Sequence, residues 1–469
     1  MNKGKELVKN TTILLVGKIF TQFLSFFLLP LYTYMLPVAD YGEVDLILTY
    51  IALLVPVVTI QQEMATFRHL VDARSDRMLK GEIIRTSFRS TLIRLAIFIV
   101  PYVIVMLFIR WRYAYLVLLC GVFTAISNLL LQIARGFGDN VKYTVGSMVA
   151  GVITILSNLL FICVLHFGAE SILISMTIAN ICCSLFLFFS LGILQYIQMA
   201  KPNKKLRNKM LKYSWPLVPN GISWWLINAS DRTIVSIFLG VAANGIYSVA
   251  VKIPSIVSSF MGIFILSWTE SASVHINDKD RDEFFSSVAN NTLRIFSSLG
   301  ILVIAAMPFV FDIIIGQEYR SAYEYIPLAI VGVLMNCLVS VYSAIYVAKK
   351  MTKQVATTSL VSAIINLVVD LALIHFVGLY AAVISTAVAF FVMAVYRHFD
   401  LKKYVKIKYR LPDLVMAVLG LIGISAIYYS GNIILYVIGA MLAAGYAIVM
   451  NLGIIKKIFV KFANKVKFR

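Results

Sequence analysis

The sequence predicts an all-α integral membrane protein with fourteen transmembrane helices, and three observations support this fold class. Hydrophobic residues occupy 60% of the 469 positions, and charged residues occupy only 14%. The mean hydropathy is +0.88, far above the range of soluble globular domains. The apolar residues form long runs separated by polar, glycine or proline positions, and each run approaches the roughly 20 residues that cross a bilayer.

Fourteen such runs are predicted to span the membrane. In chain order they cover 11–36, 44–66, 86–109, 113–133, 144–166, 171–195, 213–239, 244–266, 288–307, 323–347, 354–376, 378–397, 411–430 and 433–455. The first run is longer than the apolar region of a signal peptide and has no small-residue cleavage site after it, so we expect it to remain as span one. The segments between spans are short and leave no room for a large soluble domain.

Lysine and arginine orient these spans, because cytoplasmic loops of membrane proteins carry an excess of both residues. With a cytoplasmic N-terminus, the largest basic clusters all fall on the cytoplasmic side: Arg68–Arg89, Lys201–Lys212, Arg397–Arg410 and Lys456–Arg469. The opposite loops then hold only Arg110, Arg112 and Arg320. The net charge of +20 therefore reflects membrane topology rather than nucleic-acid binding, and both termini are predicted to be cytoplasmic.

An internal repeat divides the fourteen spans. The segment `ADYGEVDLILTYIALLVP` after span one resembles `AANGIYSVAVKIPSIV` after span seven, which pairs Gly42 with Gly245, and a second similarity pairs Asn158 with Asn366. Since each half contains six spans, the two halves have the same orientation, as in parallel transporter repeats. The predicted organisation is two pseudo-symmetric six-helix lobes, 1–200 and 201–410, followed by two C-terminal helices and a basic tail, 411–469.

Polar side chains inside span one are the first candidates for a functional site. A charged side chain at the centre of a bilayer costs about 2.5–3.5 kcal/mol on insertion scales, so it usually faces a cavity or a partner. Lys18 and Gln22 lie four residues apart, on one face of the helix. This face is predicted to line a cleft. The alternative is that Lys18, close to the start of its run, extends to the membrane interface.

Span seven has a second polar face. Asn220, Trp224, Asn228 and Asp231 follow one another at helical spacing, and Arg232 comes next. The span begins with `SWPLVPNG`, and membrane helices tolerate such breaks where protein or a water-filled cavity satisfies the freed backbone groups. We therefore expect span seven to bend beside a substrate-binding cavity. A purely structural ion pair between Asp231 and Arg232 is the alternative.

Three further cations lie inside spans. Arg94 is in span three, Lys252 precedes a proline in span eight, and Arg294 is in span nine. Together with Lys18 and Arg232 they suit an anionic ligand. For Arg94 and Arg294, an extended side chain that reaches the cytoplasmic interface is the competing interpretation.

Three acidic residues are candidates for binding a coupling proton or sodium ion. Asp370 lies deep in span eleven with no basic neighbour in the sequence, which makes it the best of the three. Glu63 and Glu270 occupy similar places in the repeat and have a simpler interpretation as solvated carboxylates at helix ends.

The sequence lacks the motifs of several enzyme classes. It contains no nucleotide-binding G-x-x-x-x-G-K-[ST], no H-E-x-x-H and no G-x-S-x-G. The five histidines are dispersed, and the five cysteines lie in apolar runs without ligand spacing. We therefore predict no catalytic residues, no cofactor and no metal site. The short outer loops argue against a glycosyltransferase or a polymerase.

One long segment carries a resemblance to a known family. The stretch `KYSWPLVPNGISWWLINASDRTIVSIFLGVAANGIYSVAVKIPSIV` resembles the central motif of bacterial polysaccharide-biosynthesis flippases, the Wzx-like translocases of O-antigen and capsule repeat units. The likeness continues through `LQIARGFGDNVKY` and `GQEYRSAYEYIPLAIVG` and so covers nearly the whole chain. These flippases belong to the multidrug/oligosaccharidyl-lipid/polysaccharide exporter superfamily.

The resemblance implies a function and a site. It implies a protein of the bacterial inner membrane with a cationic, V-shaped central cavity that works by alternating access. The implied substrate is an undecaprenyl-pyrophosphate-linked oligosaccharide for lipopolysaccharide or capsule, with Lys18, Asp231, Arg232 and Lys252 at the matching positions. Implied partners are membrane lipids and the polysaccharide polymerase and chain-length machinery. The alternative is an ion-coupled multidrug or metabolite antiporter of the same fold.

Overall fold

The computed structural model describes Gly17 and residues 26–467, and no strand occurs among them. The predicted all-α fold is confirmed. The chain forms two compact units, Met1–Trp225 and Leu226–Arg469. Their division lies near residue 225, inside a helix, whereas the predicted lobe boundary lies at residue 200. The three predicted segments remain a prediction.

In the first unit the described helices are α1 (Phe26–Met35), α2 (Val38–Thr59), α3 (Gln62–Asp72), α4 (Arg77–Phe108), α5 (Ala114–Phe137), α6 (Asn140–Asn158), α7 (Glu170–Ser190), α8 (Ile193–Met199) and α9 (Lys204–Ser214). A π-helical segment, Leu159–Val164, continues α6. The next helix, α10 (Leu217–Phe238), begins in this unit.

In the second unit, after the end of α10, the described helices are α11 (Val241–Lys252), α12 (Ser255–His275), α13 (Arg281–Ile314), α14 (Ile326–Ala348), α15 (Thr352–Val377), α16 (Tyr380–Leu401), α17 (Leu411–Tyr428) and α18 (Ile433–Lys467). A 3-10 segment, Gln317–Tyr325, precedes α14.

The chain is a multi-pass membrane protein. Within the described residues, eleven helices are long and apolar enough to cross a membrane, or twelve if α11 and α12, which are bent by 49°, form one span. The predicted span one falls mostly outside the described residues. Helix α10, at the position of the predicted span seven, is not among the eleven because polar and charged side chains interrupt its apolar sequence. The predicted count of fourteen therefore remains a prediction.

A side-chain cap fixes the position of α9 in the first unit. The Oδ1 atom of Asn203 accepts hydrogen bonds from the backbone N–H groups of Lys205 and Leu206, which otherwise lack helical partners. The Asn203 side chain also donates to Glu82 at 2.9 Å, and its backbone N–H donates to the Thr86 hydroxyl at 3.0 Å. Both partners belong to α4, so the start of α9 is held against α4.

The first unit also contains a close helix approach that can be tested. A Cβ atom added to Gly136 of α5 would lie 2.6 Å from the Cβ atom of the buried Leu70 of α3. We expect Gly136→Ala to lower the free energy of unfolding by about 1–3 kcal/mol, because overpacking forces such neighbours apart. Thermal unfolding of the purified protein in detergent measures this change.

Gly121→Ala is the matched control for this prediction. Gly121 lies in the same helix, and a Cβ atom added there would meet no described atom within 4 Å. Since alanine favours a helix interior over glycine by about 1 kcal/mol, this variant should be as stable as the wild type or more so. Equal stability of the two variants would show that α3 and α5 do not pack this closely.

Candidate functional site

Two buried carboxylates lie close together inside the second unit. Asp231 is in α10 and Asp370 is in α15, and their side chains are 3% and 0% exposed. They are near enough to interact electrostatically. The Oδ2 atom of Asp231 accepts hydrogen bonds from the hydroxyls of Tyr247 at 2.8 Å and Thr386 at 2.7 Å. Within the described residues, neither carboxylate oxygen of Asp370 has a hydrogen-bond partner.

An asparagine connects this pair to α16. Asn366 lies one helical turn before Asp370, and its amide donates to the hydroxyls of Ser385 at 3.2 Å and Thr386 at 3.3 Å. Its side-chain oxygen accepts from the Ser230 hydroxyl at 3.4 Å. Carboxylate, hydroxyl and amide oxygens of α10, α15 and α16 are thus gathered in one place, and such oxygens are the ligands that hard cations prefer. We call Asp231, Asn366, Asp370 and Thr386 the acidic cluster.

A small cavity lies beside the acidic cluster. It has a volume of about 140 Å³, and Asp231, Arg232, Tyr247 and Asn336 are among its lining residues. A water needs only about 10–15 Å³ of such volume, so the cavity can hold several waters or an ion with its hydration shell. The arrangement places a guanidinium and a carboxylate in the lining of one cavity of the second unit.

A larger cavity in the first unit has a different character. Its volume is about 440 Å³, and its lining includes Arg89, Arg94, Lys204 and Arg207. Among the residues that the structure describes, no acidic one is part of that lining. This basic pocket brings together residues of α4 and α9 and is suited to an anion.

The comparisons with known proteins identify the family. A family model described as polysaccharide biosynthesis protein matches residues 7–268, more than half of the chain. The chain belongs to this polysaccharide biosynthesis family. A further relative is the probable low-salt glycan biosynthesis flippase Agl15 of Haloferax volcanii, which is 24% identical over 222 residues. That match spans 46% of this chain and 46% of the relative, slightly less than half of each.

Solved structures show the same fold. The lipid II flippase MurJ in an inward closed conformation has a TM-score of 0.71 and 18% sequence identity, with 96% of this chain and all of MurJ covered. An inward-facing multidrug resistance MATE transporter of the MOP superfamily has a TM-score of 0.65 and 13% identity, with 90% and 100% covered. These relatives are flippases and transporters, and none is an enzyme. The predicted family and fold class are confirmed.

Of the predicted site residues of this family member, the structure brings together Asp231, Arg232 and Asp370 in the second unit. Lys252 is half-buried at the end of α11, directly after Val251, which lines the 140 Å³ cavity. The hydrogen bonds of Asp231 to Tyr247 and Thr386 tie it to two other helices rather than only to its neighbour in sequence.

Arg94 and Arg294 have protein partners. Arg94 donates to the backbone oxygen of Thr59 at 2.5 Å and to Oε1 of Gln62 at 2.9 Å while lining the basic pocket. Arg294 forms an ion pair with Asp413 of α17, with a distance of 2.7 Å between Nη2 and Oδ2. This pair, which was not predicted from the sequence, connects α13 and α17.

The remaining predicted site residues are half-buried or exposed, or they lie outside the residues that the structure describes. Glu63 is half-buried and accepts a hydrogen bond from the Thr59 hydroxyl at 3.2 Å. Glu270, Asn220 and Trp224 are exposed. Lys18 and Gln22 lie outside the described residues, as does the side chain of Asn228.

Three residues of the second-unit site were not predicted from the sequence. Tyr247 and Thr386 contact Asp231 from positions 16 and 155 residues away, and nothing in their local sequence marks them. Asn366 did give a signal, because the internal repeat pairs it with Asn158. Both asparagines are fully buried, each in its own unit.

Proposed function

We propose that this family member flips undecaprenyl-pyrophosphate-linked oligosaccharide repeat units from the cytoplasmic to the outer leaflet of a bacterial cytoplasmic membrane by alternating access. The observation that carries the proposal is the family match over residues 7–268, on a fold shared with a lipid II flippase. The half-buried cations Arg232 and Lys252 of the second unit support an anionic substrate. Guanidinium and ammonium groups bind diphosphate oxygens through charge-assisted hydrogen bonds.

The proposed energy source is a cation, either a proton or sodium, that binds at the acidic cluster. An ionised carboxylate as buried as Asp370, without a hydrogen-bond partner among the described residues, is unstable unless a proton or a metal cation neutralises it. Asp231 and the Asn366 and Thr386 side chains offer the additional oxygens. The conformation with an empty acidic cluster is high in free energy, so the protein must either bind the cation or change conformation. Cation binding is thereby coupled to the conformational change.

The test of the flipping proposal uses Arg232→Ala and Lys252→Ala. Both variants should abolish surface glycan in cells that lack the wild-type protein, while their amounts in the membrane stay unchanged. Removal of a cation from an anion-binding site loses contacts worth about 1.5–3 kcal/mol each. Glycan is measured by gel electrophoresis of surface polysaccharide, and protein by immunoblot of membranes.

Arg320→Ala serves as the control variant. Arg320 is an exposed arginine of the same unit, 3.9 Å from the exposed Asp312, and it does not line the 140 Å³ cavity. Its removal should leave surface glycan unchanged. Normal glycan from both the Arg232 and the Lys252 variants would contradict the assignment of these cations to substrate binding.

A second candidate function is an ion-coupled antiporter of drugs or metabolites. The fold shared with a multidrug transporter and the buried pair Asp231 and Asp370 favour it, since carboxylates suit cationic drugs. Efflux of cationic dyes from cells that overproduce the protein, with normal glycan after deletion of its gene, would support this function and contradict the first.

A further inference from the structure

The basic pocket of the first unit shares no lining residue with the 140 Å³ cavity of the second unit. Four cations line it, Arg89 and Arg94 from α4 and Lys204 and Arg207 from α9, together with the polar side chains of Thr86, Ser90 and Asn203. Within the described residues, Arg89, Lys204 and Arg207 form no ion pair with a carboxylate. We propose that this pocket binds the phosphate head group of a membrane lipid.

Hydrogen bonds hold the residues of the basic pocket in place. Arg94 is held by its two hydrogen bonds to Thr59 and Gln62, and the cap at Asn203 holds the start of α9 against α4. These contacts keep Arg94 close enough to Arg207 for the two cations to repel each other, and Glu63, which does not line the pocket, attracts Arg94 and offsets part of this repulsion. Like charges held together without an acid in the lining favour a bound anion, because the anion removes the repulsion.

The size and charge of the pocket point to phosphate. A volume of about 440 Å³ is ample for one or two phosphate groups with some water. Three arginines offer planar, forked donors that match phosphate oxygens, and one lysine adds a point charge. A single carboxylate would neutralise only one of these four cations, whereas a phosphate or diphosphate neutralises more.

The surface beyond the pocket points to a lipid rather than a free anion. Ile93 lines the pocket, and Ile97, Val100 and Ile104 follow it along one face of α4 at spacings of four, three and four residues. These side chains are 46%, 68%, 60% and 51% exposed, respectively. Their row is about 16 Å long at 1.5 Å per residue. An acyl or polyprenyl chain can lie along it while the head group occupies the pocket.

The position of the basic pocket along α4 also agrees with a lipid head group as its ligand. All five cations of α4, Arg77, Lys80, Arg85, Arg89 and Arg94, lie in its Arg77–Arg94 part, and the rest of the helix is apolar. The pocket therefore lies where the charged part of α4 meets its apolar part, which is the level of lipid head groups. The assignment does not depend on the flipping proposal, since phospholipids and polyprenyl diphosphates share the same phosphate chemistry.

The experiment measures lipid binding to the purified full-length protein by native mass spectrometry. Three probes are titrated separately: phosphatidylglycerol, undecaprenyl diphosphate and inorganic pyrophosphate. The test variant, Arg89→Gln combined with Arg207→Gln, removes two exposed cations of the pocket. Its apparent Kd for the lipids should rise about tenfold for each charge removed, which is about 1.4 kcal/mol per charge.

The matched control combines Lys205→Gln with Lys209→Gln. These exposed lysines of α9 do not line the pocket, and their loss lowers the net charge by the same two units. Lipid binding should change by less than about threefold, because isolated surface charges contribute little. Equal losses in the two double variants would show that binding follows net charge alone and would overturn the proposal.

The three probes identify the ligand. Tighter binding of phosphatidylglycerol supports a bilayer phospholipid as the occupant, and tighter binding of undecaprenyl diphosphate supports a carrier lipid. Inorganic pyrophosphate binding as tightly as either lipid would overturn the role of the apolar face of α4, and so would the absence of lipid binding to the wild type. Because the readout is binding, a failure of the flipping proposal leaves these outcomes unaffected.

Discussion

Asp370→Asn should abolish transport while the protein remains folded and in the membrane. Asn has nearly the same shape as Asp but cannot carry a negative charge, so it cannot release a proton or balance a sodium ion. Asp370 is fully buried, and its carboxylate oxygens have no hydrogen-bond partner among the described residues. Burial of a charge without a hydrogen-bond partner is costly, and the substitution removes such a charge, so the melting temperature should equal or exceed that of the wild type.

The measurement combines surface glycan in cells with thermal unfolding of the purified protein. Glycan should fall to the level of cells that lack the protein. Proteoliposomes with an imposed sodium or proton gradient then identify the coupling cation. Only the gradient of that cation should drive transport of the lipid-linked oligosaccharide by the wild-type protein. The Asp370→Asn protein should respond to neither gradient.

Glu270→Gln is the control for this prediction. Glu270 is an exposed acid of α12 in the same unit, and it was also a candidate for ion coupling on sequence grounds. If Asp370 is the coupling residue, Glu270→Gln should retain transport. Full transport by Asp370→Asn, or equal losses in both variants, would remove the acidic cluster from the mechanism.

The fold class was predictable because the bilayer imposes a simple rule on the sequence. Only helices of about 20 apolar residues satisfy their backbone groups in hydrocarbon, and apolar runs such as 171–195 coincide well with the observed α7 (Glu170–Ser190). Helix α10 shows where this rule weakens. Its polar face was predicted as a functional feature, and the same side chains make it less apolar than the other spans.

The site was only partly predictable because its contacts join distant parts of the chain. Asp231 and Asp370 stood out as charges within apolar runs. Their environment depends on which helices pack together, and Thr386 reaches Asp231 across 155 positions. The pairing of Arg294 with Asp413 spans 119 positions. Periodicity predicts the face of a helix but not the neighbour that this face meets.

Arg397 shows that a basic residue near the end of a span does not always mark a loop in water. In the sequence it belongs to a basic cluster of a loop that is predicted to be cytoplasmic, yet the residue is only 1% exposed. It donates to Thr358 at 2.8 Å and Ser359 at 3.2 Å on α15, and to Ser343 at 2.5 Å on α14. Among the described residues its hydrogen-bond partners are hydroxyls and backbone carbonyls, not a carboxylate. A buried guanidinium thus connects α14, α15 and α16.

Arg397→Met should destabilise the second unit more than any surface substitution. Hydrogen bonds to a charged group contribute about 1.5–3 kcal/mol each, and loss of a buried hydrogen-bond network is among the changes that destabilise a fold most. The substitution also removes a buried cation that has no carboxylate partner, which offsets part of the lost hydrogen-bond energy. We therefore expect the free energy of unfolding to fall by about 3 kcal/mol. Thermal unfolding in detergent and the amount of protein in the membrane measure it.

Two further variants separate charge from geometry at Arg397. Arg397→Lys keeps the positive charge but loses the planar fork that reaches α14 and α15 together, so it should be nearly as unstable as Arg397→Met. Lys402→Met removes an exposed cation just beyond α16, and such surface changes stay within about 0.5 kcal/mol. Wild-type stability of Arg397→Lys would show that the charge alone is needed. Wild-type stability of Arg397→Met would mean that the hydrophobic packing of α14, α15 and α16 holds these helices together without the guanidinium, and that Asp370 on α15 is positioned by that packing.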